Sequence, residues 1–156
     1  MSGIASPARA PRMMRDTPLH IPENHRRAIR ATLAVLDEAM CRFELWGNGH
    51  EARSVLYSEE NRLDANQRKM LLGSIRAMRG HLKKLRDDLR LERKVQDVSI
   101  AIWAEGAVLR EAVIELGSRY LRRYGDLPDE CARYLDQEVA KLIGHLERLS
   151  DSLRMK

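Results

Sequence analysis

From residue 22 onward, apolar side chains recur at alternating steps of four and three, the interval that keeps them on one face of an α-helix. The first run is Ile29, Leu33, Leu36, Met40 and Phe43. Pro22 suits a first helical turn, where the missing N–H has no partner to lose, and Gly47-Asn48-Gly49 supplies a stop after Trp46. The second run is Leu71, Ile75, Met78, Leu82, Leu85 and Leu89, and Asp64 with Gln67 three residues on forms a capping box at its start. The third is Val98, Ile102, Leu109, Val113, Leu116 and Tyr120, with Gly106 between Ile102 and Leu109 and Gly125 as a stop. The fourth is Val139, Leu142, Leu146, Leu149 and Leu153, with Ile143 beside Leu142 and Asp136 as its N-cap.

The spacing predicts helices over 22–46, 65–90, 95–124 and 137–154, with short extra helical turns within 50–58 and 128–135. An apolar stripe on each helix must be covered, and long helices with matched stripes are what a bundle requires. The expected fold is all-α, an antiparallel up-down-up-down four-helix bundle over 21–156. The link near 91–94 is short, which makes the second and third helices antiparallel neighbours. The longer links, 47–64 and 125–136, then fall at the same end of the bundle.

A length of 156 residues fits one domain. Hydrophobic residues make up 44% and aromatics only 4%, which disfavours a β-sandwich, whose strands need more aromatic and β-branched residues. No uncharged apolar run approaches the roughly 18 residues of a membrane span. Cys41 and Cys131 stand far apart without ligand or disulfide spacing, so a reducing, cytoplasmic setting and no metal site are expected. The amino terminus lacks the apolar core of a secretory signal, and Pro7, Pro11 and Pro18 break any helix there. Residues 1–20 therefore read as a disordered basic arm.

The net charge of +5 is local in origin. Residues 1–30 carry six arginines against Asp16 and Glu23, residues 65–94 carry ten basic and three acidic residues, and the remainder is net acidic. On a helical wheel Arg68, Lys69, Arg76, Arg79, Lys83, Arg86 and Arg90 all fall to one side of the second helix's core stripe, interrupted by Asp87. With the basic arm, this flank is a candidate polyanion or nucleic-acid surface. A solvated flank paired with neighbouring acids is the plainer alternative, because no aromatic residues interleave with it and no reading motif is present.

Two other places stand out. Six of the seven aromatics map to the helix ends and long links: Phe43, Trp46, Tyr57, Tyr120, Tyr124 and Tyr134. Arg119, Arg122 and Arg123 accompany them, so this end can hold an anionic or planar ligand or partner; equally, large side chains plug the open end of a bundle. The third helix also carries a second apolar face, Ile100, Trp103, Ala107, Ile114 and Leu121, in which four positions repeat every seven residues. A helix apolar on two sides is enclosed by its own bundle or buried by another molecule, and Trp103 is the natural anchor of a homodimer interface.

Enzymatic signatures are missing. None of the five histidines has Glu three residues before it, and no phosphate loop, nucleophile elbow or His-Glu-x-x-His occurs. Glu105 falls near the third helix's core stripe, where a carboxylate needs a partner. The expectation is a non-enzymatic protein with no catalytic residues and no cofactor, acting through protein–protein interaction as a homo-oligomer or adaptor. The alternative is a polyanion-binding protein that uses the arm and the basic flank.

Overall fold

The computed structural model describes residues 19–154. The chain is all-α: α1 (Glu23–Gly47), α2 (Ala65–Leu89), α3 (Val98–Ile114), α4 (Ser118–Leu121), a 3-10 turn (Arg122–Tyr124) and α5 (Asp129–Ser152). Where the pattern predicts one domain over 21–156, the packing divides the chain into two compact units that meet in sequence between Lys94 and Val95. Each unit is built on one pair of packed long helices, α1 with α2 and α3 with α5. Most of the basic arm expected over 1–20 lies outside the described residues. Leu19, the first of those described, donates its N–H to Asp88 O at 2.9 Å.

In the first unit the four-three spacing brings α1 and α2 together along Met40 and Ile75, the two large side chains with essentially no exposure. Leu89 and Leu91 extend this core. At the α2 start the Asp64 carboxylate accepts from Gln67 N at 2.8 Å and the Gln67 side chain accepts from Asp64 N at 3.0 Å, a reciprocal box that pairs two otherwise orphaned donors. At its other end Arg90 adopts the left-handed conformation with φ 50°, and Leu91 N then reaches Arg86 O at 2.9 Å, satisfying an end carbonyl. Gly47 marks the closest approach of the two helices, because a Cβ there would lie 2.8 Å from Leu72 Cδ2. The segment 50–58 is not helical as expected. Arg53 and Ser58 form an isolated antiparallel bridge, with Ser54 N bonded to Tyr57 O at 2.7 Å and Glu59 N to Ala52 O at 2.8 Å.

The second unit departs more from expectation. The single helix expected over 95–124 breaks after Ile114: Glu115, Leu116 and Gly117 turn, and a separate four-residue helix follows. Gly117 carries no side chain to cap α4, and the cap comes from Asp136 instead, whose carboxylate accepts from Ser118 N and Ser118 Oγ, both at 2.7 Å. Asp136 is therefore not the N-cap of the last helix. That helix runs without interruption from Asp129, because Ala132, Leu135 and Val139 carry its four-three stripe two turns back toward Pro128. Gly125, at φ 136°, ends the 3-10 turn in a conformation other residues rarely adopt. Ala132, Val139 and Gly106 are the buried residues of this unit, and Glu105 is exposed rather than set in a core.

The first unit thus rests on a narrow seam. Ile75→Ala should cost about 2–5 kcal/mol in chemical denaturation, by lost transfer energy plus a cavity. Leu85→Ala, at a side chain 39% exposed, should cost distinctly less, and equal losses would show that a further surface covers Leu85.

Candidate functional site

In the first unit the aromatic residues are fastened by one carboxylate. Glu59 Oε2 accepts from Trp46 Nε1 at 3.0 Å and from Ala52 N at 2.9 Å, while Oε1 accepts from the Tyr57 hydroxyl at 2.9 Å. Those three donors hold the Glu59 carboxyl below the usual carboxylate range, the Ala52 N–H contributing most, and the hydrogen bond to Glu59, followed by its negative charge, pushes the Tyr57 phenol up. Asn61 ties the link a second time: its side-chain amide donates to Trp46 O at 2.6 Å and its N–H to Glu51 Oε1 at 2.7 Å. Arg53 pairs with the other Glu51 oxygen at 2.8 Å, and the Glu51 carboxyl is also held low, chiefly by the Asn61 N–H. Phe43 stacks on Trp46 with ring centroids 5.7 Å apart. Trp46, Tyr57 and Asn61 are thereby tied to the carboxylates of the link, while Tyr57 stays 59% exposed.

In the second unit the arrangement is open. The Arg123 guanidinium lies 5.0 Å from the Tyr124 ring centroid and 3.2 Å from Glu115, and Arg119 lies 5.7 Å from the Tyr120 ring. Arg122 is 3.7 Å from Asp129. Tyr124 and Tyr134 are both more than half exposed. Such pairs on an exposed surface contribute little each.

The candidate interface residues of α3 are exposed at the start of the helix: Ile100 is 64% exposed, Trp103 50%, and Ala107 is open as well. Ile114 closes α3 half-buried, and the break at 115–117 puts Leu121 on α4, outside the continuous seven-residue series that an unbroken helix would give. The other flank of the helix is exposed too. Val98, Ile102, Val108 and Leu109, expected in part as core, all remain open.

The basic flank of α2 resolves into two rows. Arg68, Arg79 and Arg86, nearer the core, are engaged: Arg68 Nε donates to Leu63 O at 3.0 Å, Arg79 bonds both Glu44 oxygens at 2.8 and 2.9 Å, and Arg86 bonds Asp87 at 2.9 and 3.0 Å. The Arg79 fork holds the Glu44 carboxyl low. Lys69, Arg76, Lys83 and Arg90 form the outer row, exposed and without a carboxylate within salt-bridge distance among the described residues. Arg90 also lines a shallow cleft of about 90 Å³ with Arg26, Arg27, Arg30, Glu23 and Glu92. Arg26 Nε in this cleft's wall is buried without a hydrogen-bond partner among the described residues. The sequence reading missed both Glu59 and this arginine cleft. Glu59 looks like any solvated acid until the link folds, and the cleft joins residues about sixty positions apart.

Comparison with protein families, characterised proteins and solved structures finds no match to this chain. Among the described residues no helix is long and apolar enough to cross a membrane, and no group of three or more His, Cys, Asp or Glu side chains is placed to hold a metal ion.

Glu59 and Glu51 ionise at lower pH in the fold than at the ordinary value of 4.5. The unfolded state therefore binds more protons, so the stability they add is fully present above pH 4.5 and is lost as pH falls through their folded values. In a Trp103→Phe background, Trp46 emission should report release of the link on acidification below pH 4.5, and Glu59→Gln should blunt that dependence. An unchanged profile would mean that the link is held by something else.

Proposed function

We propose that the protein is a non-enzymatic, cytoplasmic helical protein that acts through protein–protein interaction, as a homodimer in which Trp103 anchors the contact or as an adaptor using the same face. The observation that carries this reading is the exposure of α3. Ile100, Trp103 and Val108 are each half or more exposed on one seventeen-residue helix whose remaining apolar residues are only partly covered by α5. Exposed apolar area of this kind is unfavourable in water by roughly 25 cal/mol per Å². The second unit has little with which to offset it, because among the described residues its buried side chains are Ala132 and Val139. A unit of about 60 residues with so small a core gains most from a partner that covers the open faces.

The same reasoning extends to the fold. Leu36 and Val35 on α1, Leu85 on α2, Leu109 on α3 and Leu142 and Leu149 on α5 are exposed beyond the seam that each helix shares with its hairpin mate. Closure of these seams into an antiparallel up-down-up-down four-helix bundle is the arrangement we propose. The free, exposed thiols of Cys41 and Cys131 suit a reducing compartment.

Light scattering on the purified chain at tens of micromolar, on the order of concentrations where modest self-association is visible, should give twice the chain mass. Trp103→Asp should return it to the monomer mass with its helical circular dichroism retained. A wild-type monomer that also captures no partner through this face would overturn the reading.

A further inference from the structure

The outer row of α2 has a regularity that core packing does not explain. Lys69, Arg76 and Lys83 follow each other at steps of seven within α2, about 10.5 Å per step and roughly 21 Å in all, and Arg90, the left-handed residue that follows the helix, comes seven positions further on. Gly73 and Gly80 lie between them, so the row reads Lys69, Gly73, Arg76, Gly80, Lys83, Asp87, Arg90 at alternating steps of four and three along one surface line. The two glycines have no internal purpose. A Cβ at either would meet nothing within 4 Å, and neither has the positive φ that favours glycine. Glycine in a helix interior costs about 0.8–1.0 kcal/mol relative to alanine, so their effect on the surface is the bare backbone they leave between cations. From Ala65 to Arg86 the helix holds seven basic residues and no carboxylate.

We propose that this line is a docking surface for a double-stranded nucleic acid, held through its phosphate backbone without sequence selection. Charge complementarity is the argument. A row of three helical cations about 21 Å long, continued by Arg90, has the sign that neutralises a polymer carrying one negative charge per roughly 1.7 Å of its axis, and the glycines let that backbone approach the helix closely between the cationic side chains. The row ends in the arginine cleft at Arg90, where Arg26, Arg27 and Arg30 add three guanidinium groups against Glu23 and Glu92, and where the buried Arg26 Nε lacks an acceptor among the described residues.

The chemistry of the line disfavours other occupants. It has no aromatic side chain on which single-stranded bases can stack. The line itself carries no apolar residue to enter a lipid interface, and Met70, the most exposed large apolar residue of the helix at 65%, stands about 100° round from Lys69. A partner helix would find no apolar knob at the four-three positions.

The test is fluorescence anisotropy of the full chain with a labelled duplex DNA of about 20 base pairs, titrated between about 50 and 200 mM salt. Four neutralised phosphates predict a slope of log affinity against log salt near about −3.6. Lys69→Gln, Arg76→Gln and Lys83→Gln together should reduce the slope's magnitude by about 2.7 and weaken binding roughly tenfold or more at the lower salt. Arg133→Gln, Arg148→Gln and Arg154→Gln together remove the same charge elsewhere and should change affinity by no more than about twofold. Gly73→Ala with Gly80→Ala should raise the melting temperature yet weaken duplex binding. No saturable binding at low salt would overturn the proposal, as would equal losses in the two triple variants. A single strand of the same length binding more tightly than the duplex would overturn it too, and so would anionic vesicles responding to the first triple variant while the duplex does not. A Gly-to-Ala pair that is stabilised and binds as well as wild type would overturn the close approach. None of these outcomes depends on self-association through α3.

Discussion

An apolar stripe on a helix must be covered, and in this chain each long helix is covered on one side by a single mate. Everything else follows from that constraint. Two helices packed along one line bury few side chains, so the first unit depends on Met40 and Ile75 and the second on smaller residues still. The polar machinery is correspondingly local: carboxylates of the links and caps, Glu59, Glu51 and Asp136, take up backbone N–H groups that regular structure leaves unpaired. Hydrophobic burial sets which helices meet, and these hydrogen bonds set where each one stops.

The two units divide their chemistry differently. The first ties Trp46 and Tyr57 to Glu59 and carries along α2 a row of cations with no carboxylate in reach among the described residues, so the exposed character of that helix is electrostatic. The second leaves α3 apolar around most of its circumference, so its exposed character is hydrophobic. Electrostatic surfaces govern encounter and salt dependence, whereas apolar ones govern the lifetime of a contact.

The first unit was largely legible in the sequence because its signals are local. Steps of four and three, Asp64 with Gln67, and the glycines after Trp46 all act within a turn or two of where they stand. The second unit was less so. The start of α4 is capped by Asp136, which reaches Ser118 from eighteen positions away, and periodicity carries no information about such a bond. The stripe of α5 could have been followed back to Ala132, but Asp136 has the chemistry of an N-cap and suggested a later start. The α2 flank was legible as seven basic residues on one side. Its division into paired and unpaired rows follows from wheel angle, since only the residues nearest the core reach Leu63 O and Glu44.

The Asp136 bond also sets how the second unit comes apart. Asp136 sits two turns inside α5, so its carboxylate keeps its place only while the first turns of that helix are wound. A helix of four residues has almost no persistence of its own. The cap of Ser118–Leu121 is therefore tied to the start of α5, and unwinding of α5 from Pro128 past Asp136 removes it.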